Sequence, residues 1–585
     1  MVTTRKNMSR HALLEANPQL SAWAAIDSAR GSIAEYLKRA RNNVVVPPEN
    51  KNIGHNKRAV IIGAGVAGLT TAYELLVQKI GCSCVILEAN QRVGGRNFTV
   101  RPGDAIAEEG FEPEECIFES EPDQPYKPYL NAGPGRIPSA HTHLLDYLKR
   151  FKVPLEVYVM DSRSNLTYIQ GAFGGSVPNR RLDNDTRGWI AQMLFQFLED
   201  SKCAYFSPKE IEQFKQLLER FGHLQAVEGN PGYYLGSDRS GYTHLPGVAA
   251  GEIEKPLQLK ELLASEFWAR RTSFYQPQDF LWQPTLFQPV GGMDKVVDAF
   301  KYQVEKKGGD IRLGAAVTKI TYSADTKRYS IYFQQDGVEQ MIEADYCFSN
   351  MPIPLLKGVL EDKHFDQKFQ AALQAVYKAQ YGSGNASADG YQPKFLADAT
   401  KVGWQAKRDL WQKAKANNPG DVPIYGGISW SSDEIGQVWY PSDNYHAELG
   451  VLTGAYNFQG VAFEWGKKPP QKRLEIAKAG AKNLGGDDFA NGLKHGLAIA
   501  WQNIPYQKGG WANWQAVEEK ETHYNSLIQG NQNFYIIGDQ LSALPGWQEG
   551  AVVSAINAVN RVTDPNYPIP ELDILPDTRL MVESF

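Results

Sequence analysis

Cysteine is scarce: five residues in 585, an odd and small number that leaves no framework of paired disulfides. No zinc-type spacing of Cys and His, no H-E-x-x-H and no G-x-S-x-G occurs, so metallohydrolase and serine-hydrolase chemistry lack their motifs. Charge of one sign is also lacking. Lys and Arg total 61 against 66 Asp and Glu, a formal net charge of −5, which gives no basic footprint for nucleic acid or an anionic membrane. The longest charge-free apolar stretch, Ala59 to Tyr73, is glycine-rich and shorter than a membrane span. The residues after Met1 are polar and charged, without the basic-then-apolar order of a signal peptide. The expectation is a reduced, cytoplasmic protein, with Cys82 and Cys84 as buried thiols on one face of a strand.

What is present is length and aromatic surface. A chain of 585 residues buries a large core and divides into two or three domains. With 13 Trp, 28 Tyr and 25 Phe it has the material for deep apolar pockets. The organising stretch runs from Arg58 to Arg96. Ala59 to Ile62 is a short apolar run rich in β-branched residues, which reads as a buried strand. Gly63, Gly65 and Gly68 follow in G-x-G-x-x-G spacing, with Ala67 between them, and Leu69 to Val77 continues at helical spacing. Cys84 to Leu87 is a second apolar strand, and Glu88 and Ala89 follow it. Gly63 permits the tight turn, Gly65 lets a diphosphate approach the backbone, and Gly68 lets the helix pack on the strand. Glu88 accepts from a ribose hydroxyl while the diphosphate rests on the helix N-terminus. The pattern predicts a dinucleotide site in a Rossmann-like α/β domain.

The residues beyond Glu88 narrow the dinucleotide. Val93-Gly94-Gly95-Arg96 resembles the extended FAD fingerprint of the flavin amine oxidases, and the resemblance implies FAD, with Gly95 in a second turn and Arg96 at the phosphates. Far along the chain, Phe534 to Ile537 reads as a strand ending in Gly538-Asp539, an acid placed to bond a ribityl hydroxyl. Gly546-Trp547-Gln548-Glu549-Gly550-Ala551 then opens a helix running to Asn560, whose N-terminus suits a carbonyl or phosphate. This is similar to the C-terminal FAD motif of the same family, and the two halves lie at opposite ends of the chain.

A third motif sharpens the resemblance to the L-amino acid oxidases. Gly133-Pro134-Gly135-Arg136-Ile137-Pro138 crowds one arginine into a rigid turn, and a planar guanidinium binds both oxygens of a carboxylate where lysine cannot. The resemblance implies a turn lying over the flavin and Arg136 gripping a substrate carboxylate. Pro289-Val290-Gly291-Gly292-Met293 resembles the family's turn before a helix. Ile311 to Ile320 reads as one strand, in which Val317 takes the family's adenine-holding place. Asp336-Gly337 separates two alternating strands, Tyr329 to Phe333 and Met341 to Phe348, as a hairpin. Lys401, in Thr400-Lys401-Val402-Gly403-Trp404, resembles the lysine that bonds through water to flavin N5. Lys378 and Lys394 compete for that place, because the small, polar stretch Gly382 to Tyr391 reads as an insertion. Val438 to Pro441 and Gly450 to Phe458 read as adjacent antiparallel strands. By resemblance Tyr456 donates to the substrate carboxylate and Phe458 lines the side-chain pocket, with core packing the alternative for both. Trp501 would pack on the isoalloxazine, Trp511 would limit the side chain, Gly546 would accept the substrate amine, and Trp547 would form a pocket wall.

Helical spacing runs through His143 to Phe151, Arg187 to Glu199, Pro208 to Phe221 and Leu257 to Ala269. His141 and His143 read as packing or capping residues. Leu20 to Arg41 reads as a helix ended by Pro47-Pro48. The expected architecture is α/β: a discontinuous Rossmann-like FAD-binding domain (55–133, 285–349 and 520–565), an α+β substrate-binding domain (1–54, 134–140 and 350–519) and a helical lobe (141–284). The expected function is FAD-dependent oxidation of L-amino acids by O2 to a 2-oxo acid, ammonia and hydrogen peroxide, by a homo-oligomer with no nucleic-acid or membrane partner. Amide-forming monooxygenation, polyamine or monoamine oxidation, and an inert FAD-binding protein are the rivals. Trp511, Trp547 and Phe458 favour large side chains, while an acid from the helical lobe would favour arginine or lysine.

Overall fold

The computed structural model describes residues 56–77, 81–122, 127–200, 205–269, 272–382, 390–415, 420–564 and 567–568. The helix expected at Leu20 to Arg41, and most of the expected insertion at Gly382 to Tyr391, lie outside them.

The first strand, Arg58–Ile62, sits at the centre of a five-stranded parallel sheet. The order across it is Asp310–Arg312, Ser83–Leu87, Arg58–Ile62, Tyr346–Ser349 and Phe534–Ile536. Three remote stretches of chain therefore close one sheet, as a doubly covered α/β fold requires. Alternate residues feed opposite cores: Val60 and Ile62 pack on one face, Ala59 and Ile61 on the other. Such a strand has no polar side to alternate with, which is why its sequence is a continuous apolar run. The helices Val66–Val77, Lys295–Lys306 and Gln548–Thr563 cover one face. A three-stranded antiparallel sheet, Ala316–Ser323, Arg328–Gln335 and Val338–Ala344, and the helix Gln367–Tyr381 cover the other.

Two expected strands are each split in two. Ile311 to Ile320 breaks at Gly314 (φ +67°), so that Asp310–Arg312 joins the parallel sheet and Ala316–Ser323 the antiparallel one. Met341 to Phe348 breaks in the same way at Asp345, between Val338–Ala344 and Tyr346–Ser349. Apolar patterning gives no mark where a chain leaves one sheet for another. The Asp336-Gly337 hairpin is present, both residues at positive φ (52° and 76°), as a two-residue turn between right-twisted strands demands.

A second, seven-stranded mixed sheet carries the substrate side, and its antiparallel core joins Gln437–Trp439, Leu449–Phe458, Ala399–Lys407 and Lys494–Ala500. Its register sets Lys401 directly across from Tyr456. The helices Asn179–Asp200 and Pro208–Gly222 form an antiparallel pair. The second starts with a capping box, Ser207 and Glu210, and Pro208 at its first position, where its missing N–H costs nothing. The expected helix at Leu257 to Ala269 is shorter, Leu259–Ser265 followed by one 3-10 turn, Phe267–Ala269. Cys82, Cys84, Cys116 and Cys347 are free and buried, and burial pushes the Cys84 thiol up to about 12. Among the described residues no helix is long and apolar enough to cross a membrane.

Candidate functional site

A long cleft of about 1730 Å³, its mouth included, runs from the parallel sheet to the mixed sheet. At the sheet end its walls are mainly backbone. Gly63 turns at φ +95°, and a Cβ on Gly65 would lie 2.6 Å from Asn350 Nδ2. The first turn of the Val66–Val77 helix faces the cleft through Val66 and Ala67, and such a turn offers unsatisfied N–H groups to an anion. Glu88, 4% exposed, lines the cleft beside Ala89. Its Oε2 accepts from Ala64 N at 2.7 Å, and its Oε1 from Asn90 N and Nδ2 at 2.9 and 2.8 Å. The carboxylate is thereby locked in one rotamer, with lone pairs left for a ribose. Gly95, Arg96 and Val317 complete this end.

The remote chain segment meets the first one here. Arg96 forms a bidentate pair with Asp539, 443 residues away, and its Nη1 also donates to Gly510 O at 2.8 Å. Asp539 Oδ2 accepts from Gly546 N at 2.8 Å, which ties down the Gly546-Trp547 turn. Ala551, on the first turn of the Gln548–Thr563 helix, lines the cleft. Two of the expected cofactor glycines are not on its wall. Gly68 packs against the Gly63 carbonyl, where any Cβ would collide, and Gly538, at φ +120°, backs Asn350, which does face the cleft.

The other end is an aromatic box. Gly133, Pro134, Gly135 and Arg136 line it together with Tyr456, Trp501, Trp511, Gly546 and Trp547. Gly133 abuts the Arg96 carbonyl too closely for a side chain, and Trp501 Nε1 donates to Ala132 O at 3.0 Å. Arg136 is 4% exposed. Its guanidinium lies 3.5 Å from the Trp282 ring centre, 5.0 Å from Trp439 and 5.4 Å from Trp547. Its Nε and Nη2 have no hydrogen-bond partner, and no carboxylate pairs with it among the described residues. Burial lowers its pKa to about 10, and π faces offset part of that cost.

Two expected substrate-side residues stand behind the wall rather than on it. Lys401 is 1% exposed, and its Nζ donates to Gly133 O at 2.5 Å and Asn131 O at 3.1 Å. It thus pins the turn that carries Arg136, 4.7 Å from the ring centres of Trp439 and Tyr456. Burial, and then the Arg136 charge, lower its pKa to about 7. Its competitors Lys378 and Lys394 lie near Glu518 and Asp398 instead. Phe458 touches Tyr456 (4.4 Å between ring centres) and Trp511 (5.3 Å), but faces a neighbouring cavity against Trp430 and Ile169. The strand pleat turns Phe458 to the same side as Tyr456, and Tyr456 itself lines both cavities.

Several residues that shape the site give no local signal. Trp282 and Trp439 hold Arg136 from segments about 150 and 300 residues away. Glu549 accepts from the backbone N–H groups of His143 and Leu144 at 3.1 and 2.8 Å, and its Oε1 lies 2.7 Å from His143 Nδ1. It therefore caps the helix Thr142–Phe151, and these bonds hold its pKa below the usual carboxylate range against the opposing effect of burial. The clamp joins the Arg136 segment to the Trp547 turn, and His141, 5.0 Å edge-on to Trp547, reinforces it.

The cleft fits a flavin dinucleotide on its own geometry: side-chain-free backbone at Gly65 and Gly133, two helix N-termini, an acid after the second strand, and flat aromatic walls at the far end. Comparison with known proteins agrees. The chain is 23% identical over 540 residues to the flavin-dependent L-tryptophan oxidase RebO of Lentzea aerocolonigenes, covering 87% of this chain and 98% of the relative. It is 20% identical over 541 residues to an L-amino-acid oxidase of Crotalus adamanteus, covering 91% of each. A solved putrescine oxidase triple mutant superposes with a TM-score of 0.52 at 16% identity, covering 87% of this chain and 99% of that one. The family model for flavin containing amine oxidoreductases matches residues 66–563, so with FAD as its cofactor the chain belongs to the flavin containing amine oxidoreductase family.

Proposed function

We propose that the protein oxidises L-α-amino acids, converting each with O2 and water to a 2-oxo acid, ammonia and hydrogen peroxide. The observation that carries this reading is Arg136, a buried cation on the cleft wall whose Nε and Nη2 donors have no partner. Burying such a charge unpaired is costly, and a substrate carboxylate would supply the missing anion. A diamine has no group to offer it.

FAD, when bound, supplies the two-electron acceptor that O2 regenerates. The chain supplies position. Arg136 and the Tyr456 hydroxyl hold the carboxylate, and the Gly546 carbonyl orients the amine, so that the Cα–H direction is fixed. Trp501, Trp511 and Trp547 exclude water from the reacting carbon. Lys401, neutral above about pH 7, keeps both N–H bonds on the Gly133 and Asn131 carbonyls without adding a second charge beside Arg136. Water then hydrolyses the released imino acid.

The deciding experiment is a peroxide-release screen of the FAD-loaded protein against the twenty L-amino acids, their D-enantiomers and putrescine, with product analysis. Turnover of L-amino acids with 2-oxo acid formed is expected. Turnover of putrescine alone, or an amide as the product, would overturn the proposal.

A further inference from the structure

Tyr158 ends the strand Leu155–Tyr158, which forms a small antiparallel sheet with Leu286–Pro289 and Ile137–Pro138. Leu286 lies across from Tyr158 on one side and from Pro138 on the other, and residues set opposite one another point the same way. Val157, one residue back, is 54% exposed, so the side shared by Tyr158, Leu286 and Pro138 is the buried one. There Tyr158 joins one apolar cluster with Trp282, Trp439 and Trp547, the three rings that surround Arg136. Of the two phenols near that guanidinium, Tyr158 acts on its charge more strongly than Tyr456. Tyr158 is 7% exposed, and its hydroxyl, closed to water, has no hydrogen-bond partner among the described residues. Other buried phenols are answered: Tyr147 by Glu74, Tyr234 by Asp185, Tyr329 by the Gln532 carbonyl. A buried polar atom without a partner is uncommon and costly. Arg136 Nε and Nη2 share that condition, so three orphaned donors stand within one set of tryptophans.

We propose that Tyr158 is a further donor to the substrate carboxylate, and through it a residue that selects an acid over an amide; this rests on the reading of Arg136 as the carboxylate site. A carboxylate offers about four lone-pair positions on its two oxygens. Nε–H and Nη2–H point from one edge of the guanidinium, so they take one position on each oxygen. The Tyr456 and Tyr158 hydroxyls take the other two. Tyr158 does not line the open cleft, so its hydroxyl meets only a group that Arg136 has already drawn in. Burial pushes its pKa up to about 12 against the pull of Arg136, and it therefore stays a donor at every working pH. A carboxamide puts an NH2 where one oxygen would stand. Donors then face donors, and a buried hydrogen bond is lost.

The test compares the FAD-loaded protein with Tyr158→Phe, which removes a single oxygen. Flavin absorbance titrated with propanoate and with propanamide reads binding without turnover and without a side chain to fit. Peroxide release from the L-amino acid turned over fastest, and from its amide, reads the same preference in catalysis. In Tyr158→Phe the Kd of propanoate and the KM of the amino acid are expected to rise about tenfold or more, as for one lost bond to a charged group. Turnover at saturation is expected within about threefold and the amides to bind as before, so the preference for acid falls by the same factor. The melting temperature without ligand is expected to stay or rise, because an orphaned hydroxyl has gone. Propanoate binding equal to that of the wild type would overturn the inference. So would equal weakening of acid and amide, or a lower melting temperature without ligand, since either gives the hydroxyl to the fold. A wild type that takes propanamide as well as propanoate would remove the carboxylate reading of Arg136, and this inference with it.

Discussion

Arg473 and Arg136 are almost equally withdrawn from water, 0% and 4% exposed, yet they are held in opposite ways. Arg473 meets Glu108 through two bonds of 2.6 and 2.7 Å, and its Nε donates to the Trp465 and Lys468 carbonyls. Glu108 also accepts from Ala500 N and Asn503 Nδ2, just before and after Trp501. Every charge in that knot is answered within the protein. Arg136 has ring faces where Arg473 has a carboxylate. A buried pair that is complete holds segments together, while on the proposed reading a buried charge left incomplete receives its anion from the substrate.

The comparison makes a graded set of predictions. Glu108→Ala leaves Arg473 as an unanswered buried charge and is expected to remove about 3–5 kcal/mol from the unfolding free energy measured in denaturant. A loss below about 1 kcal/mol would mean that the knot is not what holds those segments. Arg136→Leu is expected to leave unfolding free energy unchanged or raised and FAD bound, while kcat/KM for amino acids falls by roughly 2–4 kcal/mol, mostly through KM. A stability loss as large as that of Glu108→Ala would erase the distinction.

Lys401 sharpens it through pH. On the proposed reading Lys401 acts as the neutral amine, so with its folded pKa lowered to about 7 kcat/KM is expected to rise from acid to a plateau above about pH 7. A bound carboxylate offsets the Arg136 charge and favours the ammonium, so the same limb in kcat should lie at higher pH. In Lys401→Met both limbs should vanish, and a limb that persists would belong to another group. The smallest effect belongs to Glu549→Gln. A neutral acceptor still caps the helix at His143 and Leu144 but holds it less firmly. KM is expected to rise about fivefold, near 1 kcal/mol, with kcat within about twofold.

The cofactor end was legible because its chemistry is local: three glycines, an apolar strand and an acid within thirty residues dictate a turn, a helix start and a ribose contact. The Arg136 turn was legible for the same reason. The partners of Arg136 were not, since Trp282 and Trp439 reach it only through sheet order, and nothing in sequence spacing encodes that order. Lys401 was singled out by resemblance as a lysine bonding through water to flavin N5, while its bond to the Gly133 carbonyl could not be read, because only the register opposite Tyr456 brings its Nζ to that turn. Likewise Glu108–Arg473 joins two unremarkable charges 365 residues apart.

The bond between Arg96 and Asp539 has a consequence during synthesis. A ribosome that has made Arg96 must add 443 more residues before the partner exists, on the order of a minute at ordinary elongation rates. Until the strand Phe534–Ile536 and the turn after it emerge, the nascent chain has half a cradle and an open box. Flavin-dependent chemistry is thus expected only of finished molecules, and a message cut short before that strand is expected to yield a product that holds no flavin.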